Sequence, residues 1–376
     1  MYLIVPSIRE ESLQRFISEW DRREPQDKGT TLMIIEDNPE MTFELVASDW
    51  VEEHWSWLDI ELDLGSRSWI IPRRSDTVRS YGYYKCWTYT TRKHDVTFMT
   101  LDDDCYPERH EIFQPDDESL YQRHIEQMTN KSRWFNTLNS GKPRGIPFKN
   151  VGEREVVLNH GLWMNVLDYD APTQLVDAFR EEFSYDNRIV PAGQYFPLCG
   201  MNVAWHKKIT VLMYHLLMGC VNVTAMPKNH ADNVRKNCIA AGSFTAGAVQ
   251  LYKLPYDRFG DIWCGILMKK VCDHLGFAVT SGIPYIHHDR ASDPFTNLIK
   301  EANGLKVNEI FWERVDKMTL LSTNPVDCYA ELGQQMKLAF ADQEHAWYFD
   351  MLGDAMVIWA GLFIGWDPAS LPSAQT

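Results

Sequence analysis

Val96-Thr97-Phe98-Met99-Thr100-Leu101-Asp102-Asp103-Asp104-Cys105 joins an apolar run to three consecutive carboxylates. The run is short, β-branched and aromatic, which predicts a buried strand. A strand that empties into aspartates places hard oxygen donors at the carboxyl end of a sheet, where open α/β sheets bind ligands. Mg²⁺ and Mn²⁺ favour such donors and take one or two carboxylates together with substrate phosphates. The stretch therefore reads as a metal–diphosphate site, with a solvated acidic turn as the plainer alternative.

On its N-terminal side the chain alternates strands and helices. Residues 2–5 predict a short strand stopped by Pro6 and Ser7, and residues 8–20 carry Leu13, Phe16, Ile17 and Trp20 at helical spacing. Residues 31–35 predict a second strand that ends in Glu36-Asp37-Asn38-Pro39. Residues 77–92 predict a helix with Tyr81, Tyr84 and Trp87 on one side. This alternation implies an α/β fold with a doubly wound, mostly parallel sheet. Its loops at 6–9, 36–38 and 102–105 are expected to converge on one crevice.

On the C-terminal side, residues 105–200 are less regular. Residues 261–275 predict an amphipathic helix ended by Gly276, and residues 277–280 a strand leading to Gly282-Ile283-Pro284-Tyr285 and the pair His287-His288. Beyond Phe295 the pattern is helical, with apolar periodicity over 329–340 and 348–363. The expected organisation is a nucleotide-sugar-binding catalytic domain over 1–300, a helical extension over 301–365 and a disordered tail over 366–376.

With 376 residues, 45% of them hydrophobic, the chain can bury a large core. Its net charge of −15 argues against a protein whose main task is gripping a phosphate backbone, while leaving room for a local basic pocket. Fourteen Trp, 16 Tyr and 17 Phe offer surfaces for stacking on sugars and bases as well as core packing. Eight Cys without a CxxC pair exclude a zinc-knuckle or disulfide-framework reading, and Cys105, Cys199 and Cys264 read as small core residues. No stretch approaches about 18 consecutive apolar residues, so a cytoplasmic protein without a membrane span is expected.

Breaking a nucleotide–sugar bond requires neutralising a departing diphosphate while positive charge develops on the sugar ring. Asp102 and Asp104, two residues apart, are candidates for metal and ribose contacts, and His287 or His288 for a third metal ligand. Asp37 falls where base or ribose recognition is expected, or caps a helix. Arg9 and Arg79 offer guanidinium forks to a diphosphate, or serve as ion-pair partners. Asp168, Asp170 and Asp261 are candidates for sugar hydroxyl contacts or for helix caps. Arg144 lies in the loop Lys142-Pro143-Arg144-Gly145-Ile146-Pro147.

Taken together these segments resemble the reversibly glycosylated polypeptides, the UDP-arabinopyranose mutase family. The resemblance rests on Ile8-Arg9-Glu10, Asp102-Asp103-Asp104-Cys105, Arg144-Gly145-x-Pro147-Phe148, His160-Gly161-Leu162-Trp163 and Asp168-Tyr169-Asp170-Ala171-Pro172-Thr173-Gln174. It continues through Phe196-Pro197-x-Cys199-Gly200-Met201-Asn202, Cys272-Asp273-His274-Leu275-Gly276, Gly282-x-Pro284-Tyr285-Ile286-x-His288, Ala291-Ser292-x-Pro294-Phe295-x-Asn297-Leu298 and Asp354-Ala355-Met356-Val357. It implies a GT-A-like fold, UDP-sugar binding, Mn²⁺ or Mg²⁺, no flavin, and sugar attachment to an arginine that falls on Arg144. Motif register favours His288 over His287.

These readings together give Arg144, Asp261 and Asp170 as expected catalytic residues and Asp102, Asp104 and His288 as metal ligands. Expected substrate contacts are Pro6, Arg9, Asp37, Arg79, Asp102, Asp103, Trp163, Asp168, Gly200, Met201 and Asn202. The chain departs from the family where a second functional arginine would fall on Val151, with Arg154 nearby. It departs again at Arg258-Phe259-Gly260-Asp261-Ile262-Trp263, where one of two acidic residues is missing, and over residues 227–250. The expected activity is interconversion of the pyranose and furanose forms of UDP-arabinose. The alternatives are transfer of the pentose to a glycan, a small molecule or a modified DNA base, and a non-catalytic UDP-sugar-binding scaffold. A nucleic-acid acceptor sits poorly with the acidic balance, and a homo-oligomer is an open expectation.

Overall fold

The structure, a computed structural model, describes residues 1–21, 29–45, 48–93, 95–108, 120–128, 154–176, 179–180, 187–244, 247–289 and 293–364. Its N-terminal part contains β1 (Tyr2–Ser7), α1 (Glu10–Asp21), β2 (Thr31–Glu36), β3 (Val51–Trp55), α2 (Trp57–Leu64), α3 (Arg79–Tyr89) and β4 (Thr97–Leu101). β1 pairs in parallel with both β2 and β4, and β2 with β3. Alternate residues of the strands serve two cores. Leu3, Val5, Leu32 and Ile34 meet Leu13, Phe16 and Ile17 of α1, whereas Ile4, Met33 and Ile35 meet Tyr81 and Tyr83 of α3. Covering both faces is what makes these strands read as continuous apolar runs.

The middle of the chain supplies β5 (Cys105–Pro107), α4 (Leu120–Met128), β6 (Val156–Val166), α5 (Ala171–Gln174), β7 (Phe179–Arg180), β8 (Arg188–Ile189) and β9 (Asn202–His206). It is followed by β10 (Cys220–Asn222), α6 (Lys228–Asn237), β11 (Ile239–Phe244), β12 (Val249–Lys253), α7 (Gly260–Leu275) and β13 (Ala278–His288). The large sheet runs β3-β2-β1-β4-β9-β6-β13-β5, and β10, β12 and β11 form a small antiparallel sheet. β9 lies antiparallel between β4 and β6, while β6 and β13 are parallel. The architecture is the expected α/β fold, a large sheet of parallel and antiparallel strands with helices after it.

Several boundaries differ from the sequence reading. The first helix starts at Glu10, and the helix expected over 77–92 begins with a 3₁₀ turn at Asp76–Val78 and stops at Tyr89. The strand expected over 277–280 continues to His288. Its pairing with β6 slips between Gly282 and Tyr285, which accommodates a proline that has no N–H to donate. Gly161 sits opposite this slip, and a Cβ there would lie 2.2 Å from Asn202 Nδ2 and 2.5 Å from the Pro284 carbonyl. Only glycine lets Asn202 cross-link the two strands through the Leu162 and Pro284 carbonyls, at 2.9 Å each.

Three helices close the chain: α8 (Pro294–Lys317), α9 (Pro325–Ala339) and α10 (Ala346–Gly361). They share one hydrophobic core with the sheet, through stacking of Trp263 on Phe311 at 4.2 Å and of Phe340 on Phe349 at 4.2 Å. Tyr348 Oη donates to the Leu217 carbonyl and Trp359 Nε1 to the Val211 carbonyl. Among the described residues no helix is long and apolar enough to cross a membrane.

Candidate active site

The strand order reverses its direction of growth at β1, whose neighbours are β2 on one side and β4 on the other. The carboxyl ends of β1 and β4 therefore open into a crevice. A cavity of about 360 Å³ lies there, within the range of small-molecule sites. Pro6, Ser7 and Arg9 come from β1 and its loop, Asp37 from the end of β2, Arg79 from the start of α3, and Asp102, Asp103 and Asp104 from the end of β4. Asp76, Asp257, Arg258 and Lys300 complete the wall.

The three aspartates have different partners. Asp103 is 3% exposed and faces inward: Ser7 Oγ donates to its Oδ2 at 2.5 Å, and the Arg9 guanidinium is paired with it. Arg9 Nη2 also lies 3.3 Å from Asp104 Oδ2. Asp102 is paired with Arg79, which is itself buried. Arg79 donates from Nη1 to Thr100 Oγ1 at 3.2 Å and to the Gly200 carbonyl at 2.7 Å, and from Nε to the Asp76 carbonyl at 3.0 Å. Arg9 and Arg79 thus act first as fasteners of the acidic turn.

Asp104 is the aspartate with an uncommitted inward oxygen. Its Oδ1 is buried without a hydrogen-bond partner and lies 3.8 Å from His288 Nε2. His288 Nδ1 donates to the Val166 carbonyl at 2.7 Å, which fixes the tautomer and turns the Nε2 lone pair toward Asp104. Burial pushes the Asp104 carboxyl up to about 6. Two buried donor atoms facing one another have the chemistry to hold a divalent cation. The donor atoms of Asp102, Asp104 and His288 do not close to within 4.8 Å of one another, because Asp102 is turned onto Arg79. His287 points elsewhere, 3.1 Å from Asp289.

Asp37 accepts from Trp57 Nε1 at 2.6 Å and from the backbone N–H groups of Arg74 and Ser75 at 3.0 and 2.8 Å. Burial nevertheless raises it to about 7. A second carboxyl group sits behind Arg79. Asp261, at the start of α7, accepts from the Gly200 N–H at 3.1 Å, and its donor atoms, those of Asp168 and Cys199 Sγ lie within 4.8 Å of one another. Asp168 is open to solvent on one side and crowded by protein on the other. Burial raises both carboxyls, and the charges of Asp76 and Asp168 raise Asp261 further, so Asp261 favours retaining a proton. Such a pair is suited to proton transfer at a sugar hydroxyl.

Not every expected contact reaches this crevice. Gly200 belongs to it through the Arg79 and Asp261 hydrogen bonds. Met201 packs in the α1-side core, Trp163 packs against His160, and Asn202 is a fully buried strand cross-link. Asp170 is exposed and caps α5 by accepting from the Thr173 N–H at 2.9 Å. Arg144 and Val151 lie outside the described residues. Sequence reasoning missed Asp76, Arg258 and Lys300. The signal available was their position, beside the Arg258–Trp263 and Pro294–Leu298 motifs and at the cap of the 77–92 helix.

A family model described as reversibly glycosylated polypeptide matches residues 1–236 and 235–367. The chain belongs to the reversibly glycosylated polypeptide family. It is 30% identical over 387 residues to a protein of Solanum tuberosum named probable UDP-arabinopyranose mutase 1, covering 98% of this chain and 90% of that relative. It is 30% identical to UDP-arabinopyranose mutase 1 of Arabidopsis thaliana, covering 99% and 93%, and 31% identical to UDP-arabinopyranose mutase 1 of Oryza sativa subsp. japonica, covering 95% and 88%. Among solved structures, the crystal structure of S. aureus TarS 1-349 aligns at 9% identity with a TM-score of 0.29, over 94% of this chain and 89% of that one. Membership of the reversibly glycosylated polypeptides accounts for the order of the motifs along the whole chain.

Proposed function

We propose that this protein is a divalent-metal-dependent UDP-sugar mutase that interconverts the pyranose and furanose forms of UDP-arabinose. The observation that carries the reading is the uncommitted Asp104 Oδ1 facing His288 Nε2 at the sheet's switch point, in a chain of this family. Asp104 and His288 would hold Mn²⁺ or Mg²⁺, which would supply charge neutralisation to the diphosphate. The chain's own groups do the rest. Asp37 and the 74–75 backbone shape the nucleoside end, Arg79 holds Asp102 and the Gly200 peptide in register, and the Asp168–Asp261 pair holds a proton near the sugar. Arg144 receives the glycosyl group at C1 as the bond to UDP breaks, or stabilises the separated charges. The sugar ring opens and recloses on C1 through a different hydroxyl, and a phosphate oxygen of UDP then re-forms the bond to C1, releasing Arg144.

The second reading, transfer of the pentose to a separate acceptor, is favoured by Gly260. A Cβ at that position would lie 2.5 Å from both the His215 carbonyl and Thr77 Cγ2, so the family's missing acidic side chain has no space here. In this reading the carboxylate that the family carries at that position is not replaced, and the sugar passes to an outside hydroxyl. Incubation of the protein with UDP-arabinofuranose and Mn²⁺, followed by chromatography of the nucleotides, separates the readings. Appearance of UDP-arabinopyranose supports the mutase, whereas UDP release that requires an added acceptor supports the transferase. Nucleotide binding with no turnover supports a scaffold. In the mutase reading Arg144→Ala abolishes covalent labelling by radiolabelled sugar, and full labelling of that variant removes Arg144 as the attachment point.

A further inference from the structure

Five cationic side chains line the cleft: Arg9, Arg74, Arg79, Arg258 and Lys300. Three are committed. Arg9 is paired with Asp103 and Asp104, and Arg79 with Asp102. Arg74 donates to the Ala241 carbonyl at 3.0 Å and lies over the Phe244 ring at 5.2 Å, turned toward the small sheet. Arg258 and Lys300 remain. Arg258 spends one N–H on Asn297 Oδ1 at 3.0 Å, and Lys300 forms neither a hydrogen bond nor a salt bridge with any described residue.

The surroundings of this pair are unusual for idle surface charge. Arg258 has φ +67°, a conformation costly for a side chain with a Cβ and one that accumulates at functional positions. Lys300 is half-buried on α8, and burial together with Arg258 lowers its ammonium from the ordinary range. Two neighbouring cations that repel each other in a partly desolvated wall are stable together only with an anion between or beside them. Asp257, Asp76 and Glu301 supply part of that charge, but one carboxylate oxygen of Asp257 is taken by the Arg258 N–H at 3.0 Å and one of Glu301 by the Ala171 N–H at 2.8 Å.

Resting on the nucleotide-sugar reading above, we infer that Arg258 and Lys300 form the anion-receiving wall for the substrate's diphosphate, in the cleft that the acidic turn at 102–104 also lines. The arrangement gives a dianionic leaving group two kinds of partner. Carboxylates and their cation serve one side, and fixed guanidinium and ammonium donors serve the other. The Lys300 ammonium reaches the cleft because α8 starts at Pro294 and its first turns are tied down by Asn297 to Arg258 and by Glu301, which accepts from the Ala171 N–H at 2.8 Å.

The test is calorimetric titration of the full chain with UDP, uridine and inorganic pyrophosphate in Mn²⁺ buffer, for wild type, Lys300→Met, Lys300→Arg and Arg258→Gln. Lys300→Met is expected to weaken UDP and pyrophosphate roughly tenfold to a hundredfold, to leave uridine unchanged, and to be largely restored by Lys300→Arg. A merely structural role would lower the thermal midpoint and move uridine and UDP together, and that result overturns the assignment. UDP affinity within about twofold of wild type in both Lys300→Met and Arg258→Gln overturns it equally. If wild type binds pyrophosphate in a Lys300-dependent way but gains nothing from the uridine moiety, the anion wall stands and the nucleotide-sugar reading falls. If wild type binds neither UDP nor pyrophosphate, both fall.

Discussion

Arg79 is the residue through which the acidic turn, the Gly200 loop and the start of α7 are held in one geometry, so its replacement has a calculable cost. Arg79→Met removes the donors to Thr100 Oγ1 and the Gly200 carbonyl and leaves Asp102 without its cation. Thr100 keeps its own bond to the Ile4 carbonyl at 2.8 Å, so the orphaned buried acceptor is the Gly200 carbonyl, worth about 1–3 kcal/mol. Asp102 retains 29% exposure and recruits water, which keeps its share below the roughly 3–5 kcal/mol of a fully buried broken pair. The net expectation is a loss of about 2–4 kcal/mol in urea unfolding. Arg79→Lys recovers the charge but cannot span four acceptors, and should recover less than half of the loss. Because Asp102 is then unanchored, UDP affinity in Mn²⁺ should fall at least about tenfold in Arg79→Met. A stability loss below about 0.5 kcal/mol with unchanged UDP affinity would refute the reasoning, since that is the behaviour of a surface residue.

Two further outcomes are expected. Asp104→Asn and His288→Ala should each abolish the gain in UDP affinity produced by Mn²⁺, while His287→Ala should preserve it; equal effects of the two histidine variants would show that the cation is not read through His288. The second concerns acid. His124 Nε2 donates to Asn202 Oδ1, and its Nδ1 accepts from Asn159 Nδ2, so the ring is buried neutral and lowered to about 4, mainly by burial. The unfolded chain then binds a proton more readily than the folded one, and stability present at neutral pH is lost as pH falls below about 6.5 toward 4. The effect is on the order of 3 kcal/mol for this group, and urea unfolding between pH 7 and 4.5 should become flatter in His124→Gln.

The acidic turn was legible because a five-residue buried strand and three hydrophilic residues leave one arrangement open: apolar atoms in the sheet, carboxylates at its end. The parallel β1–β2–β4 core was legible for the same reason, since strands covered on both faces must be apolar at every position. The roles within the turn were not. Nothing in Asp102-Asp103-Asp104 says that the middle residue faces inward to Ser7 and Arg9, because that depends on the pairing of β1 with β4 across about ninety residues of chain. The caps were foreseeable alternatives, and Asp170 is one.

What local chemistry determined, then, was composition of layers: which runs are strands, which are helices, and that oxygen donors stand at a sheet end. Tertiary structure decided which of those polar groups are free. Arg9 and Arg79, read as diphosphate ligands or ion-pair partners, became ion-pair partners, while Arg258 and Lys300, not marked as ligands by the linear pattern, were left with unspent charge. The physical reason is that a polar side chain is available to substrate only after its neighbours in space have been satisfied, and those neighbours come from strands and helices distant in the chain.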